Sequence, residues 1–131
     1  MQITILGSGS AGNCTLIETD STRILVDAGL SGRQIAHRLA LIGRKLEHIN
    51  AILLTHEHSD HTRGLAVLCK DRPLAVYANR LTAEAVAADP EWQERPRISW
   101  RLFSTGSPFA AWYTMRLRSE VPPRGGLTRS R

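Results

Sequence analysis

The sequence predicts an α/β domain built on a mixed β-sheet with flanking helices. Two patterns carry that prediction. Short β-branched runs alternate with segments whose apolar residues recur at helical spacing, the order expected of strands joined by helices. Two of the early runs, 14–19 and 23–27, are separated only by Asp20-Ser21-Thr22, which is too short for a helix. They therefore form a hairpin, and the sheet cannot be purely parallel. The composition agrees: 131 residues with 42% hydrophobic and 22% charged side chains suit one globular domain or a piece of a larger one.

Taken in order, residues 2–6 (QITIL) make the first strand and the hairpin follows a loop of small residues, Gly7 to Asn13. Asp27-Ala28-Gly29 ends the second hairpin strand. Ser31 is a plausible helix cap, after which Ile35, Leu39 and Ile42 share one helical face, and Gly43 stops the helix. Residues 49–54 (INAILL) form a continuous apolar strand of the kind buried on both faces. A helix is expected over 61–70, a strand over 74–78 and a helix over 81–88, ended before Pro90. Beyond residue 108 neither period persists, so 1–108 is read as the folded domain and 109–131 as an irregular basic tail.

The net charge of +5 invites a reading as a basic nucleic-acid-binding module. Its distribution argues against that, because residues 110–131 hold five arginines against one glutamate. The two cysteines, Cys14 and Cys69, lie far apart and are expected to be reduced, buried thiols. No apolar run reaches the ~18–20 residues of a membrane span, and the N-terminus lacks the features of a secretory signal. A cytoplasmic protein with no membrane partner is the expectation.

Gly7-x-Gly9-x-x-Gly12 spells the dinucleotide-binding fingerprint, and Asp27 falls where a ribose-binding acid would sit. That fingerprint requires a helix to open at the loop, so that its N-terminus meets the pyrophosphate. Here the loop leads into the β-branched hairpin instead. The loop is better read as a turn that brings backbone and small polar side chains to the rim of a site.

The chemistry is concentrated in His56-Glu57-His58-Ser59-Asp60-His61, directly after the buried strand. Three imidazoles and a carboxylate in six residues are standard zinc donors, and open α/β sheets bind ligands at the carboxyl ends of their strands. Alternate residues of such a loop can point the same way, so His56 and His58 can share one metal while Asp60 and His61 face a neighbouring one. His37 and His48 lie in the first helix and just before the buried strand, and are read as having no part in the chemistry.

The run ILGSGSAGN, followed by LVDAG and LLTHEHSDH, resembles the metallo-β-lactamase-fold hydrolases, and within them the YycJ/WalJ-like subfamily. The resemblance covers residues 1–107, including Phe103-Ser104-Thr105-Gly106. It implies the N-terminal half of an αββα sandwich and a metal-dependent, cytoplasmic hydrolase acting on nucleic-acid phosphodiesters. It also implies two Zn²⁺ ions, or Mn²⁺ in their place, with His56 and His58 on the first and Asp60 and His61 on the second. Asp60 would orient the attacking water, and Asp27 would hold the metal loop by hydrogen bonds.

The sequence departs from that family in its second half. Family members are about twice as long and draw further histidine and aspartate ligands from downstream, whereas no histidine follows His61 here. An abrupt Arg- and Pro-rich tail is what an out-of-frame reading of a GC-rich gene gives, so the chain is read as a truncated or frameshifted member. The alternative to an active hydrolase is therefore a non-catalytic fragment with a partial metal site.

Overall fold

The computed structural model describes residues 1–92 and 98–108, with the side chain of Glu91 excepted. It contains one six-stranded sheet in sequential order, β1-β2-β3-β4-β5-β6. The strands are β1 (Gln2–Gly7), β2 (Cys14–Glu18), β3 (Arg23–Val26), β4 (Ala51–Leu53), β5 (Ala75–Asn79) and β6 (Ser99–Phe103). The first three pair antiparallel and the last three pairings are parallel. The sheet is thus mixed, as the short turn after β2 requires.

Each parallel pairing is bridged by helix: α1 (Gly32–Leu41) between β3 and β4, the one-turn helices α2 (Ser59–Thr62) and α3 (Leu65–Leu68) before β5, and α4 (Arg80–Ala88) before β6. Ser31 caps α1 in a full capping box, its hydroxyl accepting from the Gln34 N–H while the Gln34 side chain accepts from the Ser31 N–H. Asn79 caps α4 through the Thr82 N–H at 2.8 Å.

One core joins all of this. Leu16, Leu25, Ile52 and Val76 occupy mutually paired positions across four strands, so they share one face of the sheet. Against them pack Ile35 and Leu39 of α1, Leu65 and Leu68 of α3, and Ala83 and Val86 of α4. The opposite face is wetter towards β1, where Ile3 and Ile5 are 57% and 66% exposed.

Three expectations are corrected. The helix expected over 61–70 is two separate turns, because Gly64 breaks it and donates its N–H to the Ala28 carbonyl at 2.7 Å. A Cβ on Gly64 would sit 2.6 Å from the Leu30 carbonyl oxygen, so only glycine permits that approach. The strand expected over 49–54 is trimmed to 51–53, as Ile49 closes a 3₁₀ turn over Leu46–His48. Strand β6 adds an edge that alternation did not reveal, since SWRLF mixes polar and aromatic residues on a partly buried edge. The expected irregular tail at 109–131 lies outside the described residues.

Far from the carboxyl ends of the parallel strands, buried Glu18 accepts from Arg44 (Nε 2.9 Å, Nη2 3.1 Å) and from Arg23 (Nε 3.1 Å). The Arg44 hydrogen bonds, opposed by burial and reinforced by the charges of both arginines, hold its carboxyl below the usual glutamate value. A depressed folded value means this contribution is complete above the ordinary glutamate pKa and is lost as pH falls through the folded one. Urea unfolding at stepped acidic pH is expected to show that loss, and Glu18→Gln is expected to flatten the same part of the profile.

The two thiols are free and buried, as expected. Burial, with the charge of Asp27 adding to it, pushes Cys14 up to about 12, and burial pushes Cys69 up to about 11. Because only the thiolate is nucleophilic, iodoacetamide at neutral pH is expected to label neither cysteine until denaturant opens the chain. Rapid labelling of the native protein would contradict this packing.

Candidate metal centre

The site begins with a backbone constraint. Asp27 follows β3 with a φ of 61°, a left-handed conformation unusual for a side-chain-bearing residue. Its N–H donates to the Leu53 carbonyl at the end of β4, and the bend turns its buried carboxylate towards the loop that follows. There Asp27 Oδ1 accepts from the Thr55 N–H at 2.8 Å, and Oδ2 accepts from the Thr55 hydroxyl at 2.8 Å. His61 Nδ1 lies 2.7 Å from the same Oδ2.

This network orients two imidazoles. A carboxylate oxygen only accepts, so His61 Nδ1 carries the proton and Nε2 is turned away from Asp27. The Thr55 hydroxyl spends its hydrogen on Asp27, leaving its oxygen to accept from His56 Nδ1 at 2.9 Å. That frees His56 Nε2 in the same manner. A buried carboxylate therefore sets the ring nitrogens of His61 directly and of His56 through one hydroxyl.

The structure brings the sequence-predicted residues together. The rings of His56 and His61 are 3.9 Å apart between centroids, and those of His56 and His58 are 4.6 Å apart. Asp60 Oδ2 lies 3.3 Å from His61 Nε2. His58 is exposed and occupies the N-cap of α2 without a side-chain cap bond. His37 and His48 are both exposed, and neither belongs to the cluster. The glycine-rich segment turns from β1 into β2 with no helix, so the nucleotide fingerprint is a coincidence of spacing.

Sequence reasoning missed three contributors. Thr55, adjacent to His56, links Asp27 to both histidines. Asn13 donates its N–H to the Asp60 carbonyl at 2.8 Å and accepts at its own carbonyl from Gly29 at 2.8 Å. Gly29 lies so close to the metal loop that a Cβ there would stand 1.5 Å from the Asp60 carbonyl oxygen. The only sequence signal for these was that each sits in, or beside, a motif already singled out.

The donor chemistry of three imidazoles and one carboxylate suits a borderline cation such as Zn²⁺. Among the described residues, however, no group of three or more His, Cys, Asp or Glu side chains converges to hold an ion. The loop therefore fits the metal as one wall of a site and does not enclose it.

Gly29→Ala is expected to destabilise the fold by more than about 3 kcal/mol, since the clash is with backbone that cannot rotate away. Asp27→Ala strips the partners from the Thr55 N–H and His61 Nδ1, and a loss of about 1–3 kcal/mol per stranded group is expected. Denaturant titration measures both, and a Gly29→Ala midpoint equal to wild type would refute the close approach.

Comparison with known proteins agrees with this architecture. The sequence model of the Metallo-beta-lactamase superfamily matches residues 7–129. Exodeoxyribonuclease WalJ of Streptococcus pneumoniae (strain D39) is 51% identical over 82 residues, covering 63% of this chain and 30% of its own. Exodeoxyribonuclease YycJ of Bacillus anthracis is 42% identical over 86 residues, covering 66% and 33%. The matched stretch thus spans about a third of the length of these curated relatives. Among solved structures, MEM-A1, a subclass B3 metallo-beta-lactamase from a soil metagenome library, superposes with a TM-score of 0.62 at 27% identity, covering 80% of this chain and 44% of that one. A family model matched over residues 7–129, nearly the whole chain, together with the fold likeness to the solved structure, places this protein in the Metallo-beta-lactamase superfamily.

Proposed function

We infer that the intact protein is a metal-dependent hydrolase of nucleic-acid phosphodiesters and that residues 1–108 form the half of it carrying the His56–His61 loop. The observation that carries this reading is the closeness of the His56 ring to those of His58 and His61 beyond the carboxyl end of β4, with Asp27 fixing the ring nitrogens of His61 and, through Thr55, of His56. The nuclease names of the two bacterial relatives support the substrate class.

In this reading His56 and His58 would hold one Zn²⁺, and Asp60 and His61 a second, with Mn²⁺ as the alternative ion. Bound metal would supply a hydroxide near neutral pH and offset charge developing on the phosphate oxygens. The remaining work falls to the chain. Asp60, partly exposed beside His61, accepts a hydrogen bond from the attacking water and aims it. Asp27 and Thr55 place the proton of each neutral ring on Nδ1 and leave Nε2 of His56 and His61 facing away from Asp27. A cytoplasmic site of action is part of this reading; among the described residues no helix is long and apolar enough to cross a membrane.

A second reading is favoured by one observation, that no three donors converge among the described residues. The 131-residue chain then has a partial site, binding metal weakly and turning over slowly. Stable zinc sites use three or four protein ligands, and no histidine follows His61. Equilibrium dialysis is expected to find fewer than two tightly held Zn²⁺ per chain; two would overturn the partial-site reading.

The family reading is tested by a nuclease assay on single- and double-stranded DNA with added Mn²⁺ or Zn²⁺. Any activity of the chain is expected to fall at least 100-fold in His58→Ala, in the range lost when one electrostatic contributor to catalysis is removed. Equal rates in the two proteins would remove the cluster from the mechanism.

A further inference from the structure

We propose that Asn13 is a positioning residue that preassembles Asp60 and His61 as a donor pair. The part of this that concerns metal rests on the hydrolase reading above. The carboxamide nitrogen of Asn13 stands 3.2 Å from Asp60 Oδ2 and 3.3 Å from His61 Nε2. Those two atoms are themselves 3.3 Å apart, so one NH₂ group faces both donors at once.

The proton inventory makes the contact directional. In the neutral ring His61 Nδ1 carries its hydrogen to Asp27, so Nε2 presents a lone pair. A carboxylate oxygen and an imidazole lone pair repel each other at that separation unless something positive lies between them. The Asn13 amide supplies the partial positive charge: with one of its two hydrogens on the Gly9 carbonyl at 2.8 Å, the other is shared between Asp60 Oδ2 and His61 Nε2. It is a weak surrogate for a cation, strong enough to keep the pair together and weak enough to yield.

The rest of Asn13 is built to hold that amide in place. Oδ1 accepts from the Gly9 N–H at 3.1 Å, and Nδ2 also reaches the Gly9 carbonyl at 2.8 Å. The Asn13 N–H donates to the Asp60 carbonyl, and the Asn13 carbonyl accepts from Gly29. Side chain and backbone of one residue thus grip the glycine-rich turn, the Asp27–Gly29 bend and the metal loop together. Nothing in a purely structural turn requires the amide to face Asp60 and His61.

Two readouts test this on the 131-residue chain. The first is the ¹⁵N resonance of His61 Nε2 without metal, in mildly alkaline buffer. Asn13→Ala and Asn13→Asp both remove the donor, and the resonance is expected to move downfield, towards an unbonded imidazole nitrogen, in each. Asn13→Asp keeps the acceptor for the Gly9 N–H, so it guards against loss of the whole turn. The second readout is Co²⁺ affinity by competition with a chromophoric chelator. Asn13→Ala is expected to weaken it about 10- to 100-fold, as removal of groups that orient metal ligands does.

An unchanged Nε2 resonance in both variants overturns the proposal. So does Asn13→Ala binding Co²⁺ as tightly as a wild type that itself outbinds the His56→Ala/His58→Ala double variant. A wild-type chain that binds Co²⁺ no better than the His56→Ala/His58→Ala double variant sinks the hydrolase reading instead, and the ring-nitrogen shift still decides Asn13.

Discussion

The buried carboxylate of Asp27 is the constraint on which the rest of the centre depends. Its two oxygens receive the Thr55 N–H, the Thr55 hydroxyl and His61 Nδ1. Removing a carboxylate from water is costly unless such donors replace the solvent, and here they do so with no buried side-chain polar atom left unmatched among the described residues. The backbone conformation that delivers it, a left-handed φ on a non-glycine residue, costs on the order of 1 kcal/mol or more. The parallel pairing of β3 with β4 offsets that cost, because it lays the Asp27 bend beside the start of the histidine loop.

The sheet explains why a loop, not a helix, carries the donors. Strand β4 lies inside the sheet, with Ala51 and Ile52 buried and Leu53 partly so, and pairing on both edges fixes its direction. Leaving that strand, the chain gives up ladder hydrogen bonds and must satisfy its amides elsewhere. It does so against Asp27, and the carbonyls of Asp60 and His61 then accept from Asn13 and Ala28. The histidines are held by backbone geometry before any ion is considered.

Much of this was legible in the sequence, and the exceptions have physical causes. Strands β1 to β3 and helix α1 follow from β-branched runs, a three-residue gap and the Ser31 cap, all local signals. The His56–His61 loop stood out because His-x-His-x-Asp-His concentrates polar donors that a structural loop has little use for, and the structure places it directly after β4. The break at Gly64 did not, because it answers to a carbonyl of residue 28 across the fold. Thr55 and Asn13 were invisible for the same reason: a threonine or an asparagine means little until its tertiary partner is known. Asp27 was reached through resemblance, and its positive φ could not have been read from the residues.

The grip of Asn13 on Asp60 spans 47 residues of sequence. A chain emerging from the ribosome makes the hairpin early and the histidine loop much later, after α1 and β4 have been synthesised. Until then the glycine-rich turn has no partner, and the loop-closure entropy of that long contact has to be met by sheet pairing first. The centre therefore cannot be ordered before β4 has paired with β3. An ion that binds only the completed arrangement would act on the folding equilibrium as well as on chemistry, drawing the nascent fold towards closure.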